Sequence, residues 1–252
     1  MIAGVTGCAT PPADPAARAE FEQMNDPMEP ANRYIFEVNR FLDFIFFKPW
    51  ADTYRRIVPD FGRERVHDAL RNMGEPVDFA NEMLQGRVSD GATSVGRFIV
   101  NSVIGLGGLF DVATEMGLPS KEGDFGQTLY TWGVTDGPYV VMPIFGPATL
   151  RDAFGMGVDM AGDPVSWSLS FGGLSPANYG RAGVGGLDIR SEYIDPMEAL
   201  EKTSIDFYAQ VRSMVRQRRA KELSGQAVPE SLSYPSFDFY NAQDRSGTAG
   251  PK

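Results

Sequence analysis

The sequence predicts a mostly α-helical single domain with one small β-hairpin, on three observations. Apolar residues recur at helical spacing through most of residues 31–222, the pattern of helices that bury one face. Gly and Pro, 28 and 18 in the whole chain, recur between and inside those runs, so the helices are expected to be many and short. One stretch departs from the helical period: Gly133–Met142, where β-branched residues flank a Thr-Asp-Gly turn, a hairpin signal.

Taken in order, Asn25–Pro30 forms a turn that feeds a helix over about 31–48, with Pro30 suited to a first-turn position. That helix is apolar on nearly every side, from Tyr34 to Phe47. A helix of this kind is either fully buried or partly in lipid. Pro49 is expected to break it, giving a second short helix over 50–58. Glu64–Met73 is amphipathic, and Pro76 is expected to open a separate helix that stops at Gly86. Ser89 or Asp90 caps a helix reaching about Ile104, which Gly105-Leu-Gly-Gly108 interrupts for packing or bending. Leu109–Met116, Phe125–Trp132 and Ala148–Met160 follow as short helices. Residues 168–187, rich in Gly and Ser, show no clear period. Pro196–Glu222 is expected to be one long helix ending in a basic cluster of Arg212, Arg216, Arg218, Arg219 and Lys221. The simplest reading of that cluster is a solvated face with favourable charge at a helix C-terminus.

Three stretches carry no charge: 98–110, 137–150 and 164–180. Each is shorter than the ~20 apolar residues a spanning helix needs, and each is broken by Gly or Pro. They are either a dense core or a surface meant for apolar contact. The net charge of −10, with no basic stripe, argues against nucleic acid, whose phosphates Lys and Arg must neutralise. It also removes long-range attraction to anionic headgroups, so membrane association must come from apolar contact or a covalent anchor.

Cys8 is the single cysteine and follows Val5-Thr6-Gly7. This matches a lipobox, in which the thiol is lipidated and the chain is cut before it. Residues 1–7 are then a residual signal peptide, 8–24 a lipidated, flexible tether, 25–222 the folded domain and 223–252 a disordered polar tail. Ala9 after the cysteine resembles lipoproteins sent on to the outer membrane.

Catalytic and cofactor signatures are scarce. The one histidine, His67, lies among Arg63, Glu64, Arg65 and Asp68 and is expected on the surface. One His and one Cys exclude a Cys/His zinc site. No nucleophile elbow, phosphate-binding loop or dinucleotide fingerprint is present. Asp159/Asp163 and Glu198/Glu201 stand at helical spacing and are expected to face solvent. No cofactor or metal is expected.

Several strings stand together: Asp26-Pro-Met-Glu-Pro-Ala-Asn-Arg33, the run Phe98–Ala113, Asp124-Phe-Gly-Gln-Thr-Leu129, Trp132-Gly-Val134, Gly137-Pro-Tyr-Val-Val-Met-Pro143, Leu150-Arg-Asp152 and Tyr208-Ala-Gln-Val-Arg212. In this order and spacing the chain resembles the MlaA/VacJ family over roughly residues 25–222. The resemblance implies an outer-membrane lipoprotein of the periplasmic leaflet, shaped as a helical ring around an amphipathic channel. It would remove phospholipids misplaced in the outer leaflet and pass them to the periplasmic carrier MlaC, in association with a trimeric porin. It implies a non-enzyme with phospholipid as transported ligand. Under it Cys8 carries the anchor. Asn32, Phe36, Asn39 and Arg181 line the lipid path. Trp132, Gly133, Gly137, Pro138 and Tyr139 belong to a movable hairpin over Trp132–Val141, with the glycines as bending points. Two rival readings remain, a periplasmic phospholipid hydrolase and a porin-binding scaffold without transport. Half-leaflet insertion itself requires short in-plane apolar elements, with backbone polar groups satisfied internally.

Overall fold

The computed structural model describes Asp14 and residues 26–226. The described chain is mostly helical, with one two-stranded antiparallel hairpin. In order the elements are α1 (Glu29–Leu42), a π-helical turn (Asp43–Phe47), α2 (Lys48–Ile57), α3 (Asp60–Leu84), α4 (Val88–Val103), α5 (Val112–Glu115), α6 (Phe125–Thr131), β1 (Tyr139–Met142), β2 (Gly146–Thr149), α7 (Leu150–Gly162), α8 (Pro164–Phe171), α9 (Ser175–Glu192), α10 (Ile194–Thr203) and α11 (Phe207–Leu223).

Two prolines do not act as the sequence suggests. Pro49 does not break the first helix: helical backbone continues from α1 through the π-helical turn into α2. Pro49 has no N–H to give the previous turn and its ring crowds it. The widened turn just upstream absorbs the misfit, with the Lys48 N–H reaching back five residues to the Asp43 carbonyl. Pro76 lies inside α3, one helix of 25 residues, rather than opening a new one. α3 packs along α4 and also meets α6, α8 and α9, and this packing outweighs the lost backbone bond.

Other boundaries shift for local reasons. The long final helix is two, α10 and α11, because Asp206 caps α11 by accepting from the Ala209 N–H at 3.1 Å. The unassigned stretch 168–187 is helical, in α8 and α9. The hairpin is also displaced downstream. β1 pairs with 146–149, not with 133–136, in the register Tyr139↔Thr149, Val140↔Ala148, Val141↔Pro147 and Met142↔Gly146. The turn is Pro143-Ile144-Phe145, closed by the Phe145 N–H on the Pro143 carbonyl at 2.8 Å. Thr135-Asp136-Gly137 is a connector.

Among the described residues the usual distribution of side chains is inverted. Twelve hydrophobic residues are buried against twenty polar or charged ones, while thirty-five large hydrophobic side chains are exposed. The main apolar cluster is small: Phe36, Tyr139, Val141, Tyr208 and Val211, where the hairpin meets α1 and α11. Elsewhere ion pairs hold the interior. Arg97, 1% exposed, gives Nε to Glu75 at 2.6 Å, Nη2 to both Asp111 oxygens and Nη1 to Thr114 and the Leu118 carbonyl. Arg219 joins Asp124 to Asp152, tying α11 to the starts of α6 and α7. The basic cluster of α11 is therefore partly interior rather than a solvated face: Arg218 is buried on Glu222, and Arg212 reaches Asp26. Asp159 and Asp163 are likewise buried, accepting from Asn81 and Phe125 in the one case and from Ser166 in the other. No helix among the described residues is long and apolar enough to cross a membrane.

Candidate functional site

The candidate site is the junction of α1, the hairpin and the cavity beside them. Asn32 and Asn39 stand seven residues apart, two turns along α1, and both side chains reach the open edge of β1. Asn32 Nδ2 donates to the Tyr139 carbonyl at 3.0 Å, and its Oδ1 accepts from the Val141 N–H at 2.9 Å. Asn39 repeats the arrangement with the Met142 carbonyl and the Ile144 N–H, each at 2.9 Å. A primary amide offers the same donor and acceptor as a peptide group. Two asparagines thus take the place of a third strand and leave the edge of the hairpin paired. Asn32 is 2% exposed, and a second bond from Nδ2 to Asp26 at 2.9 Å fixes its orientation.

Phe36 lies between these asparagines, one turn from each, and is buried. Its ring meets Tyr208 edge-on with centroids 5.4 Å apart, and Tyr208 meets Tyr139 at 6.3 Å. Tyr139 is fully buried under the Arg216 guanidinium. The structure therefore brings Asn32, Phe36, Asn39 and Tyr139 together. Pro138 is adjacent and its carbonyl accepts from the Leu150 N–H.

The other expected hairpin residues stand apart from this junction. Trp132 ends α6. Its ring packs edge-on against Phe125, and its indole N–H donates to the Leu84 carbonyl at 3.1 Å. Gly133 and Gly137 both have left-handed backbone, φ +87° and +69°, which only glycine adopts without strain. They bound a connector held by Arg151. That residue is buried, pairs with Asp136 and donates to the Val134 carbonyl. Arg181 is distant in another sense: its guanidinium is committed to Asp163, to Ser166 at 3.2 Å and to the Met73 carbonyl. Cys8 lies outside the described residues, as does the expected tail beyond Gln226.

His67 corrects an expectation directly. It is 5% exposed, and its Nδ1 lies 3.0 Å from Asp188 Oδ2. Asp188 also accepts from the Tyr54 hydroxyl. Charged neighbours in sequence mislead here because α3 turns this residue toward α9. His67 Nε2 is buried and has no hydrogen-bond partner among the described residues.

Beside the junction lies a cavity of about 410 Å³. Phe36, Phe41, Phe44, Met197 and Phe207 give it apolar walls. Its charged lining comes from Arg40, Lys48 and Arg190 facing Glu37, Asp43, Glu198 and Glu201. Two of the lining aromatic residues, Phe41 at the end of α1 and Phe44 in the π-helical turn, are more than half exposed. Sequence reasoning missed this cavity because its walls come from seven separate elements. Among the described residues no group of three or more His, Cys, Asp or Glu side chains is placed to hold a metal ion.

Burial governs the acids of the α3 interior. It lifts Glu82 to about 7 and Asp159 to about 6, and raises Asp78 well above the carboxylate range. Asp111 goes the other way, to about 2. There burial is outweighed by hydrogen bonds from Thr114 and Asn101 and by the Arg97 charge.

Apolar side chains outside, paired charges within and an apolar-and-charged cavity define a helical membrane-associated protein that handles amphipathic ligands. The chain belongs to the MlaA lipoprotein family, whose model matches residues 24–222. It is 33% identical over 219 residues to the intermembrane phospholipid transport system lipoprotein MlaA of Escherichia coli K12, covering 85% of this chain and 82% of that one. An uncharacterized protein of Rickettsia bellii is 35% identical over 221 residues, covering 84% and 81%. A solved structure described as the structural basis for maintenance of bacterial outer membrane lipid asymmetry matches with TM-score 0.68 at 33% identity. That match covers 79% of this chain and 99% of the solved one.

Proposed function

We propose that this protein removes phospholipids misplaced in the outer leaflet of the outer membrane through an amphipathic path, and passes them to the periplasmic carrier MlaC. It lies in the periplasmic leaflet as a ring anchored through Cys8, beside a trimeric porin, and catalyses no reaction. The observation that carries the reading is the inverted burial. An exterior rich in Phe, Leu and Ile is unfavourable in water at about 25 cal/mol per Å² and loses that cost against lipid tails. Short helices suit a single leaflet. The hairpin, pinned to α1 by Asn32 and Asn39 and bounded upstream by Gly133 and Gly137, is the movable element beside the path. Arg181, held by Asp163 and Ser166, serves this reading as a brace of the wall.

The test is transfer. The full-length lipidated protein in vesicles, with MlaC as soluble acceptor, is expected to move labelled phospholipid to the acceptor intact. No transfer under these conditions refutes the reading. Release of fatty acid or lysophospholipid that disappears in His67→Gln would favour the hydrolase instead. A Cys8→Ser protein still retained on the outer membrane would remove the anchor.

A further inference from the structure

The helix pair α1–α2 is joined by a ladder of ion pairs to the segment 194–206, which comprises α10 and the cap of α11. Arg33 holds Asp206 at 2.6 Å, Arg40 holds Glu201, Lys48 holds Glu198, and Arg55 holds Asp195 at 2.9 Å. The cations are spaced seven, eight and seven residues apart. The extra residue falls where the π-helical turn inserts one, so the turn keeps all four cations on one face. The acids run in the opposite order along the α10 segment. Apart from Met197 and Leu200, which touch the apolar cluster, the middle of α10 meets the body mainly through this ladder.

The two central pairs, Arg40–Glu201 and Lys48–Glu198, line the 410 Å³ cavity. Deeper in its wall, Arg190 is 5% exposed and grips Asp43 through Nε and Nη2 at 2.6 and 2.7 Å, leaving Nη1 without a partner. Phe41 and Phe44 flank the opening. Cations and aromatic side chains lining one cavity match a phosphodiester carrying acyl chains. In this structure Glu198 holds Lys48, while Glu201 of α10 and Glu37 of α1 both hold Arg40, so carboxylates occupy the cations such a phosphate would take.

We propose that this cavity is a phosphodiester headgroup site, and that α10 is a strap whose Glu198 and Glu201 hold it closed by competing for Lys48 and Arg40. Headgroup entry exchanges carboxylate for phosphate on these cations and frees the strap to swing outward. Lys202, the second partner of Glu198 at 3.1 Å, receives that carboxylate when Lys48 is taken. This deepens the phospholipid-transport reading and rests on it.

The test uses the full-length protein in detergent and measures retention of fluorescent phosphatidylglycerol. The double variant E198Q/E201Q removes the competing charges of α10, leaving Glu37 on Arg40, and is expected to bind severalfold more tightly than wild type. Adding K48M to it is expected to reverse the gain. Diacylglycerol, which has the chains without the phosphate, is expected to respond to neither change. Unchanged or weaker binding in E198Q/E201Q overturns the proposal, as does a gain that K48M leaves intact. Displacement of the lipid by millimolar inorganic phosphate would assign the site to a free anion and overturn the headgroup reading. The two levels separate cleanly. If wild type transfers lipid to MlaC but the Gln variant binds no better, only the strap fails. If wild type neither binds nor transfers phospholipid, the transport reading fails with it.

Discussion

Replacing Asn32 by Asp keeps the size of the side chain and inverts half of its hydrogen bonding. Oδ1 still accepts from Val141, but the atom facing the Tyr139 carbonyl and Asp26 Oδ1, at 3.0 and 2.9 Å, changes from donor to acceptor. Two bonds are lost at a site 2% exposed, and a carboxylate is pressed against a carbonyl and a second carboxylate. With each unsatisfied buried group costing about 1–3 kcal/mol, the hairpin edge loses about 4 kcal/mol. At 1.4 kcal/mol per decade this opens the edge roughly a thousandfold more often. Asn32→Ala removes the bonds without the repulsion and is expected to cost less. Hydrogen exchange followed at the Val141 amide is the assay. The Asp variant is expected to exchange fastest at neutral pH and to slow as pH falls and its carboxyl regains a donor. Equal protection of Val141 in wild type and Asn32→Asp would refute the edge-pairing argument. An Asn32→Asp protein that protects Val141 normally yet blocks lipid transfer would move the role of Asn32 from scaffold to lipid contact.

The remaining predictions concern the interior and the connector. Glu82 ionises at about 7 in the fold against 4.5 ordinarily, because burial disfavours its charge. The stability gained by keeping it neutral is fully present below pH 4.5 and is lost as pH rises through 7. Glu82→Gln should therefore match wild type near pH 4.5 and exceed it by up to about 3 kcal/mol at pH 8.5, read from denaturation midpoints. A pH dependence identical to wild type would contradict this. Arg97→Met strands Glu75 and Asp111 in the interior and should cost about 3–5 kcal/mol, whereas Arg33→Ala, on a pair about 40% exposed, should cost at most about 1 kcal/mol. Comparable losses of melting temperature in the two variants would show that the interior network is not what holds the helices. Gly133→Ala and Gly137→Ala each impose a left-handed residue at about 1–2 kcal/mol. Gly137 should cost more, because the new Cβ lies 3.2 Å from Leu150 Cβ while the one at Gly133 meets nothing within 4 Å.

Some of the site could be read from local patterns. Asn32 and Asn39 are two amides at i and i+7 on a helix otherwise rich in Phe and Ile, a spacing that puts both on one side facing a common partner. What that partner was could not be read, because it lies 107 residues away. The hairpin misassignment has the same origin. Thr-Asp-Gly has turn chemistry, but strand pairing depends on which segment meets the edge, and 146–149 meets it despite Pro147. Arg97 and Asp111 are the two charges that bound the uncharged run 98–110, and the opposite signs at its two ends are the local trace of the buried pair they form.

The sequence by itself determined the helical class, the absence of a spanning segment among the elements and the family, since all rest on composition, local period and ordered strings. Tertiary structure alone decided which charges went inside. His67, Asp159, Asp163 and Arg218 look solvent-facing by their neighbours, yet each is buried against a partner from another turn or element. A charge enters the interior only when an opposite charge or a matching hydrogen bond is there to receive it. That partner is supplied by packing, and no local window contains it.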